Sequence, residues 1–559
     1  TALSPLGDIW DYKSAYYYIR LCNTFLEHIG DVYNLRAGEL ETWTAEIKAL
    51  KAFYYFELMK RYGPFTLVPK NIDIYAPIEE QRQQRSPMDS CVQAISTLLD
   101  EAIPHLTPLR EKDASRREFF SKEGAMGLKA RVLLYAASPL FNGGISPYKD
   151  MKNKDGSALF SPEDKEKWRI AAEYADETIE YLEGMGYKLI SGTMTEATPL
   201  LNTMRDLESS LWAPNFQNST EAIMIVSGIN SIYQYLLPRL GTKESDPYYS
   251  SVLEGILGTN IRMVNKFYTV NGLPISEDKT WVYGDGYGMA QERDVRYTNV
   301  VPLSTDVLAL HLDREPRFYA SVAYSGSVWY FMKAEKEEYK GPKQIFYYRG
   351  GGNGYTNTMF WLRTGIGVMK FVHPDDANDN NSNDNGWTHI RKKAEPAIRY
   401  AEVLLIYAEA LNELNGNYNI ASWDGTKTYN ISRSIDEMKR GIRPIRCRAG
   451  VPDYKQEEYE SQTLLRAKLK RERQIELMGE GHRYYDLRRW KDASIEEALP
   501  IYGCNTLMTE SQAQLFHTPV VVPSLPTTFS RKMYFWPISH SELKRNKRLT
   551  QNPGWTYND

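Results

Sequence analysis

The chain has 559 residues, enough for two to four ordinary domains or for one large helical domain carrying insertions. Its 68 Lys+Arg against 71 Asp+Glu leave a net charge of -3, so there is no general positive field to hold a polyanion, which argues against nucleic acid as a partner. The longest apolar stretches, such as Ala401 to Leu411, fall well short of the ~20 residues that cross a bilayer, and Glu402 and Glu409 interrupt this one, so no membrane span is expected.

The first residues carry no charged n-region followed by an apolar h-region, so a signal peptide is absent, already removed or outside this chain. From Trp43 to Tyr62 the apolar residues recur with helical spacing, Thr42 is the expected N-cap, and Gly63-Pro64 must stop the helix. From Ser121 to Phe141 the helical pattern contains Gly124, Ala125, Gly127, Ala130, Ala136 and Ala137, small positions that suggest closely stacked helix pairs. Between about 186 and 394 the texture turns to Gly, Asn, Asp and aromatic residues with short β-branched runs such as Ala222 to Val226, where the ligand surface is expected. A further helix is expected from Pro396 to Leu414, with Arg399, Glu402, Glu409 and Glu413 on a polar arc of ~80° at ~100° per residue; so narrow a stripe implies burial on two or three sides, as in a helical-hairpin array. Another runs from about Ser461 to the glycines Gly479 and Gly481, and an irregular tail follows Asp492. The division is therefore 1–185 as N-terminal helical scaffold, 186–394 as a variable, loop-rich, ligand-facing insertion, 395–490 as C-terminal helical scaffold, and 491–559 as an irregular segment packing on it, all in one compact unit.

Cys22, Cys91, Cys447 and Cys504 lie far apart with no CxxC and no His at ligand spacing, so they are read as small buried hydrophobes rather than as a zinc or redox site. Glu472, Glu476 and Glu480 recur at i, i+4 and i+8 on one helix face, a ladder that Arg473, Arg483 and Arg489 can neutralise; glycoside hydrolysis needs instead two carboxylates facing each other across a sugar. His482 belongs to the same charged helix end and is read as structural. The loop Asp375 to Gly386 has the oxygen ligands calcium uses, but taking Gly386 as the turn glycine puts Lys392 where the bidentate acid should stand, so calcium is at most adventitious and no cofactor or structural metal is expected. The run Gly350 to Gly354 lacks the G-K-[ST] ending of a phosphate cradle and is read as a turn-rich loop. With no G-x-S-x-G and no HExxH, no enzyme activity is expected.

Seven stretches in order carry a resemblance: AEIKALKAFYYFELMKRYGPFTLV (Ala45 to Val68), GLKARVLLYAASPLFNGG (Gly127 to Gly144), DREPRFYASVAYSG (Asp313 to Gly326), IRYAEVLLIYAEALNE (Ile398 to Glu413), IRCRAGVP (Ile445 to Pro452), ERQIELMGEGHRYYDLRRW (Glu472 to Trp490) and TQNPGW (Thr550 to Trp555). Together they resemble the signature stretches of the SusD/RagB family of nutrient-binding outer-membrane lipoproteins. The resemblance implies a mostly α fold, a tetratricopeptide-like scaffold of about four helix pairs bearing an irregular insertion of loops and short strands. It also implies a cell-surface location, a lipid anchor on an N-terminal cysteine, for which Cys22 inside its helical stretch does not qualify, and a SusC-like TonB-dependent transporter as partner, over which the lipoprotein acts as a lid.

The 40 Tyr and 12 Trp suit stacking against sugar ring faces, with planar polar groups reaching hydroxyls. The expected oligosaccharide site draws on Trp281, Tyr283 and Tyr287, on Trp329 and Tyr330, on Trp361 with Arg363, and on Asn71, Asp73 and Tyr75 from the loop after Gly63-Pro64. At least one of the five residues Trp281, Tyr283, Tyr287, Trp329 and Trp361 is expected to be exposed. The expected function is capture of a glycan and its delivery to the transporter; the alternatives are a peptide-binding lid of the RagB kind and a structural lid with negligible affinity of its own.

Overall fold

The computed structural model describes residues 10–193, 196–212, 219–226, 236–238, 240, 257–334, 337–355, 361–377, 395–421, 426, 428–522, 525 and 527–556. Helix α1 is Tyr12–His28, and α2 is Glu39–Tyr62. The start of α2 lies a turn before the expected Thr42 cap: Gly38 adopts a left-handed φ of 82°, and the Thr42 N–H already donates to the Gly38 carbonyl. Glu39 and Glu41 then sit in the first turn, where the helix dipole favours anions, which an N-cap at Thr42 would have forgone. Gly63 ends the helix as expected, at φ 73°.

Next come α3 (Met88–Ala102), α4 (Lys122–Ala137), α5 (Glu166–Gly184), α6 (Pro199–Trp212), α7 (Tyr400–Asn412), α8 (Ile435–Arg448), α9 (Gln462–Glu476) and α10 (His482–Arg489). They form a row in which α1 packs on α2, α2 on α3, α3 on α4, α4 on α5, α5 on α7, and α7 on both α8 and α9. This is the mostly helical, tetratricopeptide-like array; the long middle segment leaves it after α5 and returns at α7. Among the described residues the strands form six two-stranded antiparallel ribbons: β1 (Ala222–Val226) with β8 (Glu395–Arg399), β2 (Met289–Gln291) with β3 (Asp306–Leu308), β4 (Val322–Ala323) with β7 (Gly367–Val368), β5 (Ser327–Phe331) with β6 (Gly341–Ile345), β9 (Tyr418–Ala421) with β10 (Thr428–Ile431), and β11 (Tyr502–Gly503) with β12 (Val520–Val521).

Two expectations about the helices need correction. The helix expected from Pro396 begins at Tyr400, because 396–399 are claimed by the ladder with β1. The small positions of α4 do not serve helix stacking alone: α4 packs between α3 and α5, but its glycines admit this ribbon as well, since a Cβ on Gly127 would stand 2.7 Å from Ile223 Cδ1 and 3.0 Å from Ile398 Cγ2. A true helix–helix approach occurs at Gly441 of α8, where a Cβ would meet the Leu404 carbonyl of α7 at 2.7 Å.

One apolar core fills the helical row and takes in Phe535, Trp536 and Ile538 of the tail. Asn552 fixes that tail, donating from Nδ2 to the carbonyls of Tyr62 and Trp536 and accepting from the buried Arg85. A second core lies within the insertion, around Trp329, Phe331, Phe318 and Tyr348. Cys22, Cys91 and Cys504 are buried as expected, whereas Cys447 is exposed on the outer side of α8.

Between the cores runs a buried ion network. It joins Glu221, Glu315, Glu472, Glu476 and Glu480 to Arg317, Lys370, Arg399, Arg446 and Arg448, so charges balance. Arg399 Nη1 donates to Glu221 at 2.7 Å and to Glu476 at 2.8 Å, and its Nε to Glu480 at 2.8 Å. Arg317 bonds Glu315, Glu472 and Glu476, and Arg446 bonds Glu472 at 2.9 Å. Lys370 holds Glu480 at 2.8 Å and the main-chain carbonyls of Glu476 and Met478. The carboxylate ladder is thus real, but its partners come from the insertion, β8 and α8 instead of its own helix. Of the expected partners, Arg473 and Arg489 grip Asp486, Arg489 also holds Glu409, and Arg483 holds Glu496. Burial acts to raise the Glu480 carboxyl, but Arg399 and Lys370 outweigh it and hold it at about 2; Glu402 is likewise held at about 2 by Arg131 and its neighbours.

Glu476→Ala and Asp486→Ala should each destabilise the protein by about 3 kcal/mol or more in denaturant titrations, because each strands buried arginines. Acid should act in two stages. Burial, against the pull of Glu402, pushes His482 down to about 4, and burial alone does the same to His517. The unfolded chain protonates these groups near ~6.5, so it binds protons the folded state refuses, and stability is lost as pH falls from ~6.5 toward 4. Glu402 and Glu480 titrate near ~4.3 when unfolded, so their contribution is complete above that pH and is lost as pH falls toward 2. Melting temperature followed from pH 7 to pH 3 should show this decline, and His517→Leu should flatten its upper part.

Candidate ligand-binding cleft

The hairpin β5–β6 builds the floor of the candidate site. Trp329 and Phe331, two residues apart and so on one face of β5, stack at 6.4 Å and 7° and anchor the hairpin in the insertion core. Trp329 is 1% exposed, which corrects its expected role: it is core, not a ligand platform. Beyond β6 the chain continues through Phe346 and Tyr348, whose rings stack at 5.9 Å and 20°. The loop Gly350 to Gly354 then turns back, with Gly351 N–H donating to the Tyr348 carbonyl and Gly350 N–H to the Tyr355 carbonyl. Gly354 is required there, since a Cβ would fall 1.7 Å from the Tyr348 carbonyl oxygen. The glycine run is therefore a turn, as expected.

These segments enclose a cleft of ≈ 670 Å³, within the range of about 300–1,000 Å³ typical of ligand sites. Tyr339 and Phe346 supply aromatic surface, with the buried Tyr348 behind Phe346, while Lys343, Arg349 and Glu510 supply charge, and Thr509 and Ser511 hydroxyls. Arg349 is exposed and its guanidinium makes no hydrogen bond or ion pair with described residues. It lies 5.9 Å from the ring of Tyr355, which meets Trp361 edge-on at 4.8 Å, and Arg363 lies over Trp361 at 4.6 Å. Trp361 is half-buried and Arg363 exposed, so this expected pair sits beside the cleft.

Tyr287 approaches from the other side: its carbonyl accepts from Gln514 Nε2 at 2.9 Å, and Phe516, two residues on, packs against Tyr348 at 4.8 Å. Trp281 and Tyr283 pack edge-on at 5.2 Å behind it, and the Trp281 indole donates to the Leu312 carbonyl. All three are half-buried. Of the five aromatics expected to include an exposed one, four are half-buried and one is core, because Tyr283 and Tyr287 pack on the insertion core, Trp281 packs on Tyr283, and Trp361 on Tyr355. Tyr330 is half-buried, donates to the Asn299 carbonyl and lies under Arg205. Asn71 is tied to α1 through Thr24 and Glu27, and Asp73 accepts from the Tyr75 N–H, leaving Tyr75 89% exposed. That loop stands on α1, and no contact among the described residues brings it to the insertion.

Sequence reading passed over Phe346, Tyr348 and Arg349. The run Ile345-Phe346-Tyr347-Tyr348-Arg349 directly before the glycines was the available signal: aromatics at alternate strand positions feeding a turn. Glu472 and Glu476, considered above as carboxylates for catalysis, are engaged by arginines in the core, and neither faces a cleft wide enough for a sugar. Among the described residues no group of three or more His, Cys, Asp or Glu could hold a metal ion. The loop considered for calcium lies from residue 378 onward outside the described residues; Asp376 accepts from the His373 N–H in a turn.

Comparison with known proteins bears on this architecture. The SusD family model matches residues 212–555, and a second model, described as starch-binding associating with outer membrane, matches residues 8–134. BT4246 superposes with a TM-score of 0.79 at 24% identity, over 98% of this chain and 89% of that one. A SusD-like protein (BF3747) from Bacteroides fragilis gives 0.71 at 22% identity over 99% and 87%, and a SusD-like carbohydrate binding protein (BF0978) from the same organism gives 0.65 at 18% over 98% and 87%. At these identities the likeness is one of fold. No curated protein matches the sequence. With its family model covering more than half of its length, the chain belongs to the SusD family.

Proposed function

We propose that the protein is a non-enzymatic lid at the outer membrane, anchored by a lipid, that captures an oligosaccharide and delivers it to a SusC-like TonB-dependent transporter. The observation that carries this is the cleft beside the glycine-rich loop, where the half-buried ring of Phe346, backed by the buried Tyr348, adjoins the exposed guanidinium of Arg349. An apolar ring wall beside planar donors matches the two faces of a pyranose. The starch-binding, outer-membrane description of the model matching residues 8–134 supports the reading, as does the carbohydrate-binding name of BF0978. Among the described residues no helix is long and apolar enough to cross a membrane, in keeping with a lipid anchor. Trp361, Arg363 and Tyr287 would extend the surface from the cleft rim.

A peptide ligand is the second reading, favoured by one feature: β6 lines the cleft and, among the described residues, pairs only with β5, which leaves its other edge for an extended chain. Pro342 removes one main-chain donor from β6, which weakens this reading.

A calorimetric panel of neutral oligosaccharides and peptide mixtures tests both. Phe346→Ala and Arg349→Ala should each weaken oligosaccharide binding by roughly 1 kcal/mol, about fivefold, with little change in melting temperature. Binding of peptides alone, or oligosaccharide binding untouched by both changes, would overturn the reading. Pure protein incubated with a bound oligosaccharide should release no new reducing ends; steady release abolished by one Glu or Asp substitution would show an enzyme.

A further inference from the structure

A second cleft, of ≈ 870 Å³, opens where the segment from Gly258 to Lys266 meets α9, the turn at Gly479 and the stretch from Glu496 to Ile501. It shares no lining residue with the cleft described above. Four cations line it, Arg262, Lys266, Arg471 and Arg483, together with two carboxylates, Glu496 and Glu497. The carboxylates already have partners: Glu496 pairs with Arg483, and Glu497 with Arg488 at 2.6 Å.

Arg262 and Arg471 are held by main-chain carbonyls instead. Arg262 Nη1 donates to the Glu496 carbonyl at 2.7 Å, while Arg471 donates from Nε to the Lys266 carbonyl at 2.7 Å and from Nη2 to that of Asn265 at 3.0 Å. Carbonyls orient a guanidinium without cancelling its charge. Arg262 Nε is buried with no partner, and Lys266 Nζ makes no hydrogen bond or ion pair with the described residues. Burial pushes the half-buried Lys266 ammonium down; Glu496 opposes this, and Arg483, Arg471 and Arg262 add their repulsion. Positive charge thus exceeds what Glu496, shared among Arg483, Lys266 and Arg262, can answer, a costly arrangement in a partly desolvated cleft. The rest of the wall is suited to sugar hydroxyls, with Thr259, Asn265, Gln474 and Thr528 on it.

We propose that this cleft is a second glycan site that binds an acidic sugar unit, its carboxylate or sulfate group seated between Lys266 and Arg262. The bound anion relieves the repulsion among the four cations and accepts charge-assisted hydrogen bonds, the stronger class. This site does not depend on capture of neutral sugar in the first cleft.

Titration calorimetry of the whole chain with tetragalacturonate, a κ-carrageenan tetrasaccharide and maltotetraose tests it. At least one acidic ligand should bind, more weakly as salt is raised. Lys266→Gln should weaken that binding about tenfold and Lys266→Glu abolish it, with melting temperatures unchanged because the Lys266 ammonium makes no hydrogen bond or ion pair among the described residues. Arg349→Ala should leave it unaltered. Galacturonate binding assigns a carboxylate ligand, and carrageenan binding a sulfate. The proposal fails if neither acidic ligand binds, if the Lys266 variants bind like the parent, or if Arg349→Ala removes the binding.

Discussion

The interaction on which the rest depends is the neutral network of five carboxylates and five cations buried between the helical row and the insertion. Taking ten charges out of water is expensive, and the cost is recovered only when each has several well-placed partners. Arg399 illustrates the constraint. Its guanidinium reaches Glu221 before β1, Glu476 in α9 and Glu480 beyond it, so three distant parts of the chain must be in place before it is satisfied. Arg317 and Lys370 tie the insertion to the same glutamates. The network thereby sets the position of the insertion core against α9, which apolar contacts, being non-directional, would specify less sharply.

Position then passes outward to the cleft. The ribbon β1–β8 approaches α4 because Gly124 and Gly127 leave room for it, and Arg399 is delivered at the point where β8 becomes α7. Lys370 follows closely on β7, whose Val368 pairs with Val322 of β4, and β4 continues directly from the short helix Pro316–Ser321 that carries Arg317. Trp329 and Phe331 fix β5–β6 to the same core, so the ring of Phe346, stacked on the buried Tyr348, emerges from a rigid floor, and Gly354 allows the loop to turn back against the Tyr348 carbonyl. The aromatic side of the cleft is preorganised while Arg349 stays free to meet a ligand. That is the division of labour expected of a binding surface placed on a scaffold.

Much of the scaffold was legible in the sequence. The helical spacing in α2, α4, α7 and α9, the stops at Gly63 and Gly479, and the narrow polar stripe of α7 each have a local cause, and local causes can be read residue by residue. The stripe also foretold burial, since Glu402 and Glu409 are both buried and held by Arg131 and Arg489. What could not be read were pairings across long separations. That 396–399 would leave the helix for a ladder with β1, and that the glutamates of α9 would be met by Arg317, Arg399 and Lys370, depend on tertiary placement. The site suffered for the same reason: composition could point to aromatic loops, but only packing distinguishes Trp329, sealed in the core, from Phe346 on a wall of the cleft. Asn71, Asp73 and Tyr75 failed to join because the hydrogen bonds of Asn71 hold its loop to α1.

The account stands on the cleft being where a glycan is captured, and hydrogen–deuterium exchange with and without a bound neutral oligosaccharide tests this most directly. Protection should appear in residues 339–355 and 509–511, with the amides of α1 to α5 unchanged. Protection centred on the Asn71 to Tyr75 loop, or in the helical row with none at 339–355, would contradict it.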